Sequence, residues 1–243
     1  EASYQLPKAE NLKVSNANGA VEVSLSYNYQ QTKSRWNVNY MIMNDGKVEV
    51  RNYFDARNSD LPLIFRVGMR MQLPSQFTEV EYYGRGPHSN YMDRKTSTFV
   101  DRFQSNISKM YEKYVFAQES GHHIDAKWLL LSTKDGKGLL ISTTEQFEFN
   151  VSDVLLETID NGIKRDNDAA VGTFPDRKHN NAYKGSDRID LFIDYKMQGV
   201  GGNDSWGALP EEAYRIIPKN TPVNYTFSML PIDNVRNVDK SIQ

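Results

Sequence analysis

The sequence contains no cysteine, which excludes disulfides, thiolate nucleophiles and Cys-ligated zinc but leaves the redox compartment open. No apolar run approaches the roughly 18 residues of a membrane-spanning helix. The first residues, Glu1-Ala2-Ser3-Tyr4-Gln5, also lack the basic and then apolar layout of a signal peptide. A marked excess of either charge is missing too: Lys+Arg 29 against Asp+Glu 31 gives a net charge of -2, so there is no broad electrostatic case for nucleic acid or an anionic membrane as partner. There are 4 histidines, His88, His122, His123 and His179. Neighbouring strand side chains point to opposite faces, so His122 and His123 do not suit one metal, and all four read as polar loop or strand-end residues. A phosphate-binding Gly-rich loop before a helix, a nucleophile elbow and a zinc-peptidase helix are all missing. Acidic pairs such as Glu79 and Glu81 read as solvated charges, because a glycosidase couple is defined by a separation of roughly 5 to 9 Å in space.

What is present points to strands. Aromatics make up 12% of the 243 residues, with Tyr 14, and apolar residues alternate with polar ones in short runs. Val21, Val23, Leu25, Tyr27 and Tyr29 share one face of a half-buried strand. Trp36, Val38, Tyr40 and Ile42 alternate before Asn44-Asp45-Gly46 and then Val48 and Val50, a hairpin signature. Phe65, Val67, Met69, Met71 and Leu73 predict a long strand ended by Pro74. The continuous runs Trp128–Leu131 and Leu139–Ile141, joined by Lys134-Asp135-Gly136-Lys137, predict a hairpin covered on both faces. Phe147, Phe149 and Val151, then Ile189 to Tyr195, then Tyr225 to Met229, also fall at strand spacing. The expected fold is all-β, a sandwich in one domain over residues 1–243. Residues 157–187 lack apolar periodicity and predict a long loop or a pair of irregular excursions, and only Ser105–Tyr114 offers a helical stretch.

Two glycine-rich patches stand out. The first runs Tyr82-Tyr83-Gly84-Arg85-Gly86-Pro87 and on to Asn90, Tyr91, Asp93, Arg94 and Lys95. Glycines permit close backbone approach, and an Arg held by a carboxylate such as Asp93 is a common way to buttress an irregular turn. The second is Gln198-Gly199-Val200-Gly201-Gly202-Asn203-Asp204-Ser205-Trp206-Gly207. Nothing local requires the Trp206 ring to be a core residue. It suits either the core or an exposed platform for the apolar face of a sugar, with Asn203 and Asp204 bonding hydroxyls or fixing the loop. Trp128, between Lys127 and Leu129, reads as core.

These patches resemble the C-terminal, or small-chain, domain of β-galactosidases of glycoside hydrolase family 2. Three ordered motifs carry the resemblance across about residues 65–230. They are Tyr83-Gly84-Arg85-Gly86-Pro87 with Asn90-Tyr91 and Asp93-Arg94; Gln118-Glu119 with Gly121, Asp125 and Trp128; and Met197 with Gly199, Gly201-Gly202 and Asp204-Ser205-Trp206. The resemblance implies an antiparallel β supersandwich of the galactose mutarotase-like kind. It implies a noncatalytic domain that sends a loop to the active site of a TIM barrel in the same polypeptide, where both catalytic glutamates lie. On that basis this chain has no catalytic residue, metal or cofactor of its own, and its partners are a β-galactoside and the barrel domain. The resemblance further implies that Trp206 forms the sugar platform, with Asn203 and Asp204 beside it. Asn203 stands where Asp is usual, Lys127 where Arg is usual, and Ser89 where Glu often precedes Asn-Tyr. The resemblance also implies that the domain's first strands precede Glu1, leaving early strands such as the one at Val21–Tyr29 with an unpaired edge or an apolar surface. Two other classes stay open: a stand-alone carbohydrate-binding module, and an aldose mutarotase-like enzyme, which needs a His/Glu pair beside a sugar.

Overall fold

The computed structural model describes residues 7–17, 19–114, 118–159, 185–204, 206–235 and 238. The architecture is the expected all-β antiparallel one, with eleven strands in a single branched sheet. Its first wing is a meander: β1 (Ala9–Ala17), β2 (Ala20–Tyr29), β3 (Ser34–Ile42) and β4 (Val48–Asp55). β5 (Arg66–Pro74), β6 (Phe77–Gly86) and β7 (Phe99–Asn106) follow, then β8 (His123–Thr133), β9 (Gly138–Ser152), β10 (Arg188–Met197) and β11 (Val223–Ile232). The strand order β1-β2-β3-β4-β11-β9-β8-β6-β7 forks at β9. The first half of this 15-residue strand pairs with β11, and its second half pairs with β10, which carries β5 on its far side. Fifteen residues give one strand enough length to serve both branches.

Alternation decides which side chains enter the core. Trp36, Val38 and Phe54 from β3 and β4 join Val67 of β5, Val80 and Tyr82 of β6, and Phe149, Leu191 and Phe227 of β9, β10 and β11 in one cluster. The β8–β9 hairpin is buried on both faces, as its unbroken apolar runs predict. Leu129 and Leu131 enter that main cluster, while Trp128 and Leu130 join Leu140, Ile232 and Val238 in a second one.

Three expectations are corrected. Ser105–Tyr114 forms no α-helix: β7 runs into it, and a single 3-10 turn at Ile107–Lys109 buries Ile107. The edge strand is β1, not Val21–Tyr29, which is flanked by β1 and β3. The apolar residues of β1 are open, with Leu12 64% and Val14 66% exposed. Phe65, expected to begin the long strand with Val67, lies before β5 and is 66% exposed. Most of the loop expected at 157–187 lies outside the described residues; its start folds as the short helix α1 (Leu156–Ile159).

Candidate functional site

The first glycine patch is the end of β6 and the turn after it. Gly84 is needed because a Cβ there would stand 2.9 Å from the Ala126 backbone of the neighbouring strand. Arg85 is held by Asp125, with Nε donating to Oδ2 at 2.7 Å and Nη1 donating to the Thr98 carbonyl at 3.0 Å. The buttress expected for this Arg is therefore real, but its carboxylate is Asp125, not Asp93. Fully buried Asn90 closes the turn. Its Nδ2 donates to the Arg85 and His88 carbonyls, and its Oδ1 accepts from Ile124 N. Ser89, at the variant position, donates through Oγ to Glu112 Oε1 at 2.5 Å.

Asp93 faces the second patch, more than a hundred residues away in sequence. Its Oδ1 accepts from Val200 N at 3.0 Å and its Oδ2 from Gly201 N at 2.8 Å. The loop that leaves β10 is also fixed at its root, where Gln198 N donates to the Phe65 carbonyl and Gly199 N to the Tyr214 carbonyl. Gly201, Gly202 and Gly207 all have positive φ, of 63°, 78° and 84°, a region that other residues rarely adopt. Gly202 N closes the loop on the Ala208 carbonyl at 3.2 Å.

At the loop tip Trp206 is 93% exposed, so the ring belongs to no core cluster. Asp204 Oδ1 accepts from Trp206 N at 2.7 Å and from Ala208 N at 3.2 Å, an Asx-type turn that fixes the backbone under the indole. Of the three expected site residues, Trp206 and Asn203 face solvent, and Asp204 has one oxygen engaged in holding the loop. An exposed indole on a braced loop presents a flat apolar face, and amide and carboxylate groups beside it can bond hydroxyls.

A polar cluster missed in the sequence lies beneath the loop root. His122 and His123, expected as polar loop or strand-end residues, are 1% and 2% exposed. His122 stacks on Tyr91 with ring centroids 5.4 Å apart, and its Nε2 lies 2.9 Å from Glu148 Oε2. The same Glu148 oxygen accepts from Met197 N at 2.7 Å, at the end of β10. Arg66 pairs with Glu119, and its Nε lies 3.1 Å from Asp194 Oδ2, an ion-pair distance without hydrogen-bond alignment. Burial pushes the His122 imidazole down to about 3, with Arg66 adding to the shift, and burial lowers His123 to about 4. Burial pushes Glu148 up to about 8 and lifts Asp194 well above the usual carboxylate range. The only sequence signal for this cluster was the adjacency of two histidines ahead of an apolar run. No group of three or more His, Asp or Glu side chains suited to a metal occurs among the described residues.

Two curated relatives are beta-galactosidases. That of Priestia megaterium is 29% identical over 198 residues, covering 80% of this chain and 17% of the relative. That of Vibrio cholerae serotype O1 is 30% identical over 204 residues, covering 82% of this chain and 18% of the relative. The chain thus spans less than a fifth of the length of these two relatives. A solved galactose mutarotase-like protein from Lactobacillus casei aligns over 91% of this chain and 72% of its own, at 10% identity and a TM-score of 0.42. The family model described as beta galactosidase small chain matches residues 2–229, and this chain belongs to that family.

Proposed function

We propose that this chain is the noncatalytic part of a β-galactosidase and that it presents Trp206 to the galactosyl unit of a terminal β-galactoside. The reaction itself would be carried by two carboxylates on a TIM-barrel domain of the same polypeptide. The observation that carries this reading is the 93% exposure of Trp206 on a loop pinned by three left-handed glycines and two carboxylates. An indole held there by backbone costs nothing in core packing and offers stacking area to a sugar ring. The much greater length of the two beta-galactosidase relatives supports a partner domain. Asn203, exposed beside the indole, is placed to bond a sugar hydroxyl, while Asp204 chiefly fixes the loop.

A mutarotase-like reading is disfavoured by a specific observation. A His/Glu pair exists in His122 and Glu148, but their side chains are 1% and 9% exposed, so a sugar has no access to it in this conformation. The test is kinetic. Trp206→Ala in the full β-galactosidase polypeptide is expected to cost galactoside kcat/KM about 1–3 kcal/mol, by analogy with other aromatic platforms. The isolated chain is expected not to hydrolyse an aryl β-galactoside. Unchanged kinetics in the variant, or turnover by the pure isolated chain, would sink the reading. Sugar affinity in the isolated chain would instead favour a stand-alone carbohydrate-binding module.

A further inference from the structure

We infer that Asp93 is a positioning residue for the Trp206 loop, acting as a two-pronged clamp on the loop backbone. Asp93 sits on a rigid base: Tyr91 N donates to the Arg94 carbonyl and Arg94 N to the Tyr91 carbonyl, closing a tight turn around it. That turn is anchored inward by Tyr91, 4% exposed and stacked on His122, and by buried Asn90 just before it. From this base each carboxylate oxygen takes one of two successive amides, Val200 N and Gly201 N. Successive N–H groups converging on an anion form a concave backbone nest, and charge-assisted bonds of this kind are stronger than neutral ones.

The approach is close enough to dictate sequence on the loop side. A Cβ at Gly199 would fall 2.4 Å from Asp93 Oδ2 and 2.5 Å from its Cγ, so any side chain there drives the carboxylate away. Asp93, Gly199 and Gly201 therefore form one device, although they come from patches far apart in the chain. Both oxygens of Asp93 are engaged by loop amides, so Asp93 acts through the loop that carries Trp206.

The functional consequence rests on the platform reading above, and the physical clamp does not. Asp93→Asn keeps the shape but leaves one oxygen to serve two amides, with its NH2 set against an N–H. Hydrogen exchange at Val200 and Gly201 is expected to quicken about tenfold, as for loss of a charge-assisted bond. In the full polypeptide Asp93→Asn should lower galactoside kcat/KM by less than Trp206→Ala does, and should add nothing in a Trp206→Ala background. Gly199→Ala should reproduce both effects from the other side of the contact. Unchanged exchange at both amides in Asp93→Asn would overturn the clamp. An equal activity loss with and without Trp206 would overturn the positioning role, since a general structural defect does not depend on the indole. If Trp206→Ala alone leaves kinetics unchanged, the platform reading fails while the exchange measurement still decides the clamp.

Discussion

His122 Nε2 stands 2.9 Å from Glu148 Oε2 in a site that leaves their side chains 1% and 9% exposed. Burial favours the neutral form of each, so it lowers the imidazole and raises the carboxyl. The pair is thus held largely without charge at neutral pH, although Lys196 and Arg66 both act on Glu148, and Arg66 already faces Glu119 and Asp194.

Stability should accordingly fall on both sides of a plateau. His122 and His123 drop from 6.5 to about 3 and about 4 on folding, so the folded state binds fewer protons and loses stability as pH falls below about 6.5. Glu148, raised from 4.5 to about 8, and Asp194, raised from 3.8, act oppositely: the folded state holds their protons, and stability is lost as pH rises. Between 4.5 and 6.5 the two effects offset. Above 6.5 only the carboxyls act, so stability falls toward about pH 8, and below 4.5 the histidines dominate. Denaturant midpoints across pH check this. Glu148→Gln, which can still accept from Met197 N, should reduce the alkaline fall to the share of Asp194 and let the histidine-driven fall begin nearer pH 6.5. A stability curve that rises steadily from pH 6.5 to 8 would contradict the assignment.

The β8–β9 hairpin offers a test of the two-sided burial. Leu129 is 0% exposed in the main cluster and Leu130 3% exposed in the second. Consecutive strand residues point to opposite faces, so a half-buried strand would leave one of them tolerant. Leu129→Ala and Leu130→Ala are each expected to cost about 2–5 kcal/mol of unfolding free energy. By contrast Val14→Ala on edge strand β1, where Val14 is 66% exposed, should lie within about 0.5 kcal/mol of the parent.

How much of this was legible in the sequence follows from range. The strands β2 to β5 and β8 to β11 show in alternation or unbroken apolar runs because a strand's burial pattern is written residue by residue. β6 was hidden because Gly84 and Gly86 look like turn residues; they are there for close packing, against Ala126 and Phe103. β7 was hidden because its burial is slight, from Phe99 to Asn106, leaving no clear alternation. The exposure of Trp206 was legible as an alternative, since flanking glycines imply positioning by backbone. The bonds from Val200 and Gly201 to Asp93 and the contact of His122 with Glu148 were not, because no local pattern encodes which distant residues the topology brings together.

The three tryptophans give a spectroscopic prediction. Trp36 is 9% exposed, its Nε1 donating to Asn52 Oδ1 at 3.0 Å and its ring 5.3 Å from that of Phe54. Trp128 is 7% exposed in the second core cluster, with the Arg102 guanidinium 5.7 Å from its ring centroid. Only Trp206, at 93%, stands in water. A collisional quencher such as iodide should therefore reach one emitting population and spare the other, and the accessible one should emit at longer wavelength. Trp206→Phe should abolish the accessible fraction while moving the melting temperature little, because no core contact is lost. If that variant unfolds the chain, the ring belongs to the core, where large-to-Ala changes cost about 3–5 kcal/mol. In the full polypeptide, a galactoside that stacks on the indole should shield it from iodide at concentrations that saturate the enzyme. Quenching that is indifferent to the sugar would leave Trp206 exposed but idle.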